Sequence, residues 1–217
     1  MRAHHLTAAA GAVLLLAGCT SSGLPSDQEA TPTPEPAPTE EETATAEEDV
    51  DDRLVSGPDA TGTFTDPDGE EVGTVELFET DDGVEVRVEV TGLEPGFHGL
   101  HVHETGLCEP ESSPPDDPDE TGAFLSAGGH LNPDDADHGE HAGDLGALLV
   151  TAAGRGASTQ LTDRFAVADL RDDDGTAFMI HSDPDNFAHI PERYGQPDED
   201  TLGTGDAGDR VACAVID

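Results

Sequence analysis

The chain has 217 residues, with 49 acidic side chains against 8 basic ones and a formal net charge of −41. All eight bases are Arg. Nothing here can neutralise a run of phosphates, so sequence-independent binding to nucleic acid is excluded, and the same acidity argues against adhesion to an anionic membrane through basic side chains.

Twenty-five Gly and sixteen Pro argue against a helical bundle, since both interrupt helices. A hydrophobic content of 34% is enough for a small all-β domain. So much carboxylate also suits solubility in concentrated salt, where charge repulsion is screened.

Residues 1–18 read as an export signal. Arg2 supplies the positive start, and an apolar stretch ends in Val13, Leu14, Leu15, Leu16, Ala17 and Gly18. The stretch is too short to span a bilayer and suits a signal peptide. Leu16-Ala17-Gly18-Cys19 resembles the bacterial lipobox, where cleavage precedes a lipidated Cys. The alternative is an ordinary secretory signal with a chance Cys. Either reading places the mature protein outside the cytoplasm, with membrane attachment only through lipid on Cys19.

Residues 19–56 read as a disordered tether. They contain Thr31-Pro32-Thr33-Pro34-Glu35-Pro36-Ala37-Pro38 and the runs Glu40-Glu41-Glu42 and Glu47-Glu48-Asp49. Pro extends such a segment, and like charges repel along it.

The folded domain is expected over 57–217. A short strand is predicted around Thr63-Phe64, then a turn at Asp66-Pro67-Asp68-Gly69 and a strand over 74–79. Asp81-Asp82-Gly83 is a hairpin signal. After it, Val84, Val86, Val88 and Val90 alternate with Glu85, Arg87 and Glu89, the period of a half-buried strand. Further strands are predicted over 97–104, 145–152, 157–162, 176–182 and 210–216. About eight short strands and no long helix predict an all-β, antiparallel barrel or sandwich. Two long irregular stretches, about 105–143 and 183–208, are of a length usually either functional or disordered.

Histidines gather where those strands and loops meet. His101 and His103 flank Val102, so on a strand their rings share one face and can share one metal ion. His130, His138, His141 and Asp144 fall in the first long loop or just past it, and His181 ends an apolar strand. Imidazole is the usual ligand for copper and zinc, and zinc also accepts carboxylate. A lone His pair would be polar strand decoration; six His and an Asp in this arrangement predict a metal centre.

From Thr61 to Ile216 the chain resembles the copper–zinc superoxide dismutases in their exported bacterial form. The motifs that carry the resemblance are Gly96-Phe97-His98-Gly99-Leu100-His101-Val102-His103-Glu104, Gly128-Gly129-His130-Leu131-Asn132-Pro133, His141-Ala142-Gly143-Asp144-Leu145-Gly146 and Gly205-Asp206-Ala207-Gly208-Asp209-Arg210-Val211-Ala212-Cys213. The resemblance implies an eight-stranded Greek-key barrel that dismutes superoxide and protects the cell envelope from extracellular oxidants.

It also implies roles for single residues. His101, His103, His130 and His181 would hold copper. His130, His138, His141 and Asp144 would hold zinc, with His130 as the bridge. Asp185 would tie a copper histidine to a zinc histidine from behind. Arg210 and His130 would act directly in catalysis. His98 would be structural, and His189 has no assigned role. Cys108 and Cys213 match the family's intrasubunit disulfide, which an oxidising compartment would preserve.

One departure stands out. Only two residues separate His138 from His141, fewer than the family usually has. Either His138, His141 and Asp144 wrap zinc in one tight turn, or one of the two His is displaced. The Pro- and Asp-rich insertion from Glu109 to Glu120 reads as a solvated loop. Its alternatives are a rim of the substrate channel or an oligomer contact. The resemblance allows a monomer or a homodimer. The competing function is a non-catalytic copper- and zinc-binding envelope protein of the same fold.

Overall fold

The computed structural model describes residues 57–217. The segments expected to be a signal peptide and a tether, and the expected lipidation site Cys19, lie outside the described residues. Nine antiparallel strands form one sheet: β1 (Ala60–Thr65), β2 (Glu71–Thr80), β3 (Gly83–Thr91), β4 (Gly96–His98), β5 (Leu100–His103), β6 (Leu148–Val150), β7 (Arg155–Thr162), β8 (Ala177–His181) and β9 (Arg210–Val215). Their order is β4-β6-β7-β3-β2-β1-β9-β8-β5. The two end strands, β4 and β5, are consecutive in the chain, so the sheet curls into a nearly closed barrel.

The expected hairpins form. Asp66 Oδ1 accepts from the backbone N–H of Asp68 and Glu70 and fixes the first turn. Asp81 and Asp82 connect the paired ends Thr80 and Gly83 of the next. In β3, Val84, Val86, Val88 and Val90 are buried, while Glu85, Arg87 and Glu89 lie on the wetter face. Each such valine removes enough apolar surface to stabilise the fold by about 1.5–3 kcal/mol.

The count is nine strands, against the eight expected, because the predicted strand 97–104 divides at Gly99. Residues before it pair with β6, and residues after it pair with β8. Gly99 donates to Asp183 O and accepts from His181 N at the exchange of partners. The strand expected over 145–152 is shorter, because Gly143 and Leu145 bond instead to the backbone of β5.

Alternation in β5 and β8 places the site. Leu100 and Val102 of β5, with Phe178 and Ile180 of β8, enter the main core. The opposite parity holds His101 and His103 on β5 and Ala177, Met179 and His181 on β8. Their register is His101 against Met179 and His103 against Ala177. The loops cover this second face, so both strands are buried on both sides. A second apolar cluster of Phe124, Ala127, Ala177, Met179 and Cys213 sits beneath them, with Cys108 against it.

The disulfide joins Cys108 to Cys213 across 105 residues, with Cα atoms 5.6 Å apart. In the chain-entropy view a loop of that length stabilises the fold by about 4–5 kcal/mol. Among the described residues no helix is long and apolar enough to cross a membrane. The one α-helix there, α1 (Glu199–Thr204), is six residues long and capped by the Asp198 side chain.

Candidate metal centre

Backbone bonding stitches the site segments onto β5. Glu104 N donates to Gly129 O, Leu131 N to Val102 O, and Val102 N to Gly143 O. Gly143 also donates to Leu131 O. A Cβ at Gly143 would collide with Val102 O and Leu131 N, so only glycine allows the approach that carries Asp144 inward. His103 and His130 form a two-residue bridge, as do His101 and Asp144.

Two four-residue donor groups result. His101, His103, His130 and His181 form one, and His130, His138, His141 and Asp144 form the other. Within each, one nitrogen or oxygen per residue lies within 4.8 Å of all the rest. All seven side chains are buried. His130 belongs to both groups.

The far nitrogen of most rings has a fixed protein partner, which decides which nitrogen faces inward. His103 Nδ1 meets Gly128 O at 3.0 Å, and His181 Nδ1 meets Gly208 O at 3.2 Å. Their Nε2 atoms face each other at 3.4 Å. His101 turns the other way, with Nε2 at 2.8 Å from Asp185 Oδ2. His138 Nε2 meets Asp185 Oδ1 at 2.8 Å. Partners of this kind set tautomer and ring orientation for a metal ligand.

The second group has the dimensions of a tetrahedral zinc site. His130 Nδ1, His138 Nδ1 and His141 Nδ1 stand 3.0, 3.1 and 3.2 Å from Asp144 Oδ1. His130 Nδ1 and His141 Nδ1 are 3.3 Å apart. Ligands about 2.0 Å from one ion lie roughly 3.3 Å apart at tetrahedral angles. Asp144 Oδ2 is held by the N–H groups of Gly139 and His141. Despite the short spacing, His138, His141 and Asp144 come together within one turn, with both Nδ1 atoms near Asp144 Oδ1.

Two buried nitrogens, His101 Nδ1 and His138 Nδ1, have no hydrogen-bond partner. The His138 Nδ1 contact with Asp144 is close in distance but lacks hydrogen-bond geometry. An unpartnered buried donor or acceptor costs about 1–3 kcal/mol. Each of these nitrogens points into one donor group, and a cation there would satisfy it.

Protonation follows the same division. Burial pushes His130 down to about 4, against the pull of Asp144. Burial, with His130, Arg210 and His181 nearby, holds His103 well below its usual range. His181 is lowered by burial and by His101. Neutral imidazole is the form that ligates. Burial opposes ionisation of Asp144 and Asp185, but their histidine partners outweigh it and hold both carboxyls well below the ordinary range. Burial alone would lower His138; Asp144 and Asp185 raise it to about 9.

Arg210 starts β9 opposite His181. Its Nη1 donates to Phe124 O at 2.6 Å and its Nη2 to Gly128 O at 2.7 Å. Gly128 O thus serves both Arg210 and His103. Arg210 lines a cavity of about 950 Å³ together with His103, His130 and His181. Burial lowers its value, yet a guanidinium stays charged.

The expected structural place of His98 is met: both its ring nitrogens contact backbone carbonyls, of Glu94 and His181. His189 joins neither donor group. Two residues escaped the sequence reading. Arg164 donates to His141 O at 2.8 Å and Gly139 O at 3.1 Å, bracing the short loop. Gly205 lies against Asp185 and His138. A lone Arg after a strand carries no sequence signal; Gly205 stood inside a recognised motif without a role.

The family Copper/zinc superoxide dismutase (SODC) matches residues 71–216. The Cu-Zn superoxide dismutase of Mycobacterium tuberculosis is 45% identical over 166 residues, covering 72% of this chain and 69% of that protein. That of Mycolicibacterium paratuberculosis is 41% identical over 221 residues, covering 95% and 94%. Among solved structures, the Cu/Zn superoxide dismutase from Brucella abortus is similar with a TM-score of 0.57 and 32% identity, covering 73% of this chain and 99% of that one. On its matched residues, its barrel and its paired donor groups, the chain belongs to the copper/zinc superoxide dismutase family.

Proposed function

We propose that this chain dismutes superoxide to dioxygen and hydrogen peroxide, with copper held by His101, His103, His130 and His181 and zinc by His130, His138, His141 and Asp144. The single observation that carries the reading is the pair of buried donor groups sharing one imidazole. Bound copper supplies the one-electron couple, while zinc is redox-inert and supplies charge and geometry.

The chain's own groups do the rest. With Nδ1 turned to Asp144, His130 is placed to hold a proton at Nε2 and hand it to the peroxide product. Arg210 spends two N–H groups on carbonyls and keeps others for a small anion beside the histidines. Asp185 fixes one ring of each group. All copper positions carry His, so the non-catalytic reading is not favoured.

The test is metal analysis of purified protein beside a superoxide decay assay. Equimolar copper and zinc with rapid, chelator-sensitive dismutation is expected. Metal uptake without dismutation overturns the enzyme reading.

The domain limits are part of the proposal: a signal over 1–18, a tether over 19–56 and the catalytic domain over 57–217, lipid-anchored at Cys19 on the outer face of the membrane. Support comes from the sequence and from the disulfide, which persists in oxidising compartments. Cys19→Ser should move the protein from the membrane to the soluble fraction. An unchanged distribution overturns the anchor.

A further inference from the structure

The insertion from Glu109 to Glu120 is a built loop. Ser112 and Gly122 exchange both backbone hydrogen bonds at 2.9 Å, and Ser112 Oγ accepts from Ser126 N. Phe124 N donates to Glu109 O. Cys108 fastens one end to β9 through the disulfide. Arg210 fastens the other by donating to Phe124 O. Glu120 closes a turn onto Asp117 O, two residues before the Ser112–Gly122 pair.

Those constraints set Glu120 in the wall of the cavity that also holds Arg210, His103, His130 and His181. The other acids there are Asp206, which already accepts from Asn186 and Thr201 through Oδ2, and Asp209, the chain neighbour of Arg210. Glu120 has no side-chain partner among the described hydrogen bonds and ion pairs. It is also the carboxylate whose field acts on Arg210. The described domain carries 38 acids against 6 Arg, so no distant positive surface compensates.

We propose that Glu120 is a specificity-determining residue of the dismutation: its carboxylate counters Arg210 inside the cavity and makes anion capture weak in dilute buffer and stronger as salt screens it. The inference rests on reading this cavity as the superoxide site. It assigns the insertion a function, namely to bring a negative charge to the entrance. Screening is its natural complement, since the Debye length falls from about 30 Å at 0.01 M to about 3 Å at 1 M salt.

The experiment uses the full-length, copper- and zinc-loaded protein, with Glu120→Gln and, as control from the same loop, Glu111→Gln. Azide, a small monovalent anion, is titrated against the copper absorption band at 0.01 M and 1 M salt. The second-order dismutation rate is measured in parallel. Glu120→Gln should tighten azide binding and speed dismutation roughly threefold at 0.01 M, with the difference gone at 1 M. Glu111→Gln should follow the parent protein. No change in Glu120→Gln, an equal gain in Glu111→Gln, or a difference that persists at 1 M overturns the proposal. Azide binding without dismutation in every variant would sink the enzyme reading instead, while the azide constants still decide the role of Glu120.

Discussion

His101 and His138, which belong to different donor groups, are joined through one carboxylate. Asp185 Oδ2 lies 2.8 Å from His101 Nε2, and Asp185 Oδ1 lies 2.8 Å from His138 Nε2. The link depends on a residue that ligates nothing. A Cβ at Gly205 would overlap both Asp185 Oδ1 and His138 Nε2, and its φ of +64 favours glycine as well. Gly205→Ala should therefore weaken zinc binding by about 10–100-fold, the usual cost of losing a supporting partner. Gly203→Ala, where a Cβ meets open space, is the control and should bind zinc normally. Competition against a chromogenic chelator measures both.

Arg164 acts on the same loop from outside. Its guanidinium holds the carbonyls of Gly139 and His141, on either side of Glu140. Arg164→Gln should speed zinc release about tenfold and leave copper retention unchanged, because neither carbonyl touches a copper-side ring. Stopped-flow chelation of each metal separates the two effects. Equal loss of both metals would show that Arg164 merely supports the fold.

The metal-free protein should be most stable near pH 6.5. His130 is lowered to about 4 in the folded state, so between 6.5 and 4 the unfolded chain binds the extra proton and stability falls with acidification. Asp144 and Asp185, both depressed, add a further loss below about 3.8. His138 is raised to about 9, so its contribution is complete below 6.5 and disappears as pH climbs towards 9. Thermal unfolding from pH 3 to 9 checks the shape. A flat profile between 4 and 6.5 would contradict the His130 assignment.

Phe187 and Ala188 both occupy the left-handed region, with φ of 55° and 52°. That conformation costs about 1–2 kcal/mol for a residue with a Cβ. Ala188→Gly removes the cost and adds about 0.5–1 kcal/mol of unfolded-state entropy. A net gain of about 0.5 kcal/mol is expected in a urea titration. Ala188→Val should lose more than that gain. Loss of stability in the glycine variant would refute the strain.

Much of this site was legible in the sequence, because period two puts His101 and His103 on one face and the apolar run before His181 marks a central strand. The valines of β3 showed which face is wet. What resisted reading was contact made by backbone atoms. Gly128 O receives both Arg210 and His103, yet a carbonyl carries no residue-specific mark. The break at Gly99 was hidden for a similar reason: strand propensity runs unbroken through 97–104, and only the exchange of partners divides it. The two-residue gap between His138 and His141 leaves a tight turn and a displaced His both open in the sequence, because the N–H groups of Gly139 and His141 that hold Asp144 Oδ2 carry no residue-specific mark.

Removing the disulfide isolates another coupling. Cys108→Ser with Cys213→Ser should cost about 4–5 kcal/mol of unfolding free energy, read from the urea midpoint. It should also lower azide affinity, since the loop that presents Phe124 O and Gly128 O to Arg210 loses its clasp.

All seven donor residues precede β9, whereas the cavity's cation and one half of the clasp belong to that last strand. A chain short of β9 therefore holds its whole ligand set and lacks the guanidinium that lines the cavity. The ligand set and the anion-holding charge thus come from separate stretches of the chain, and the disulfide fastens the second to the first.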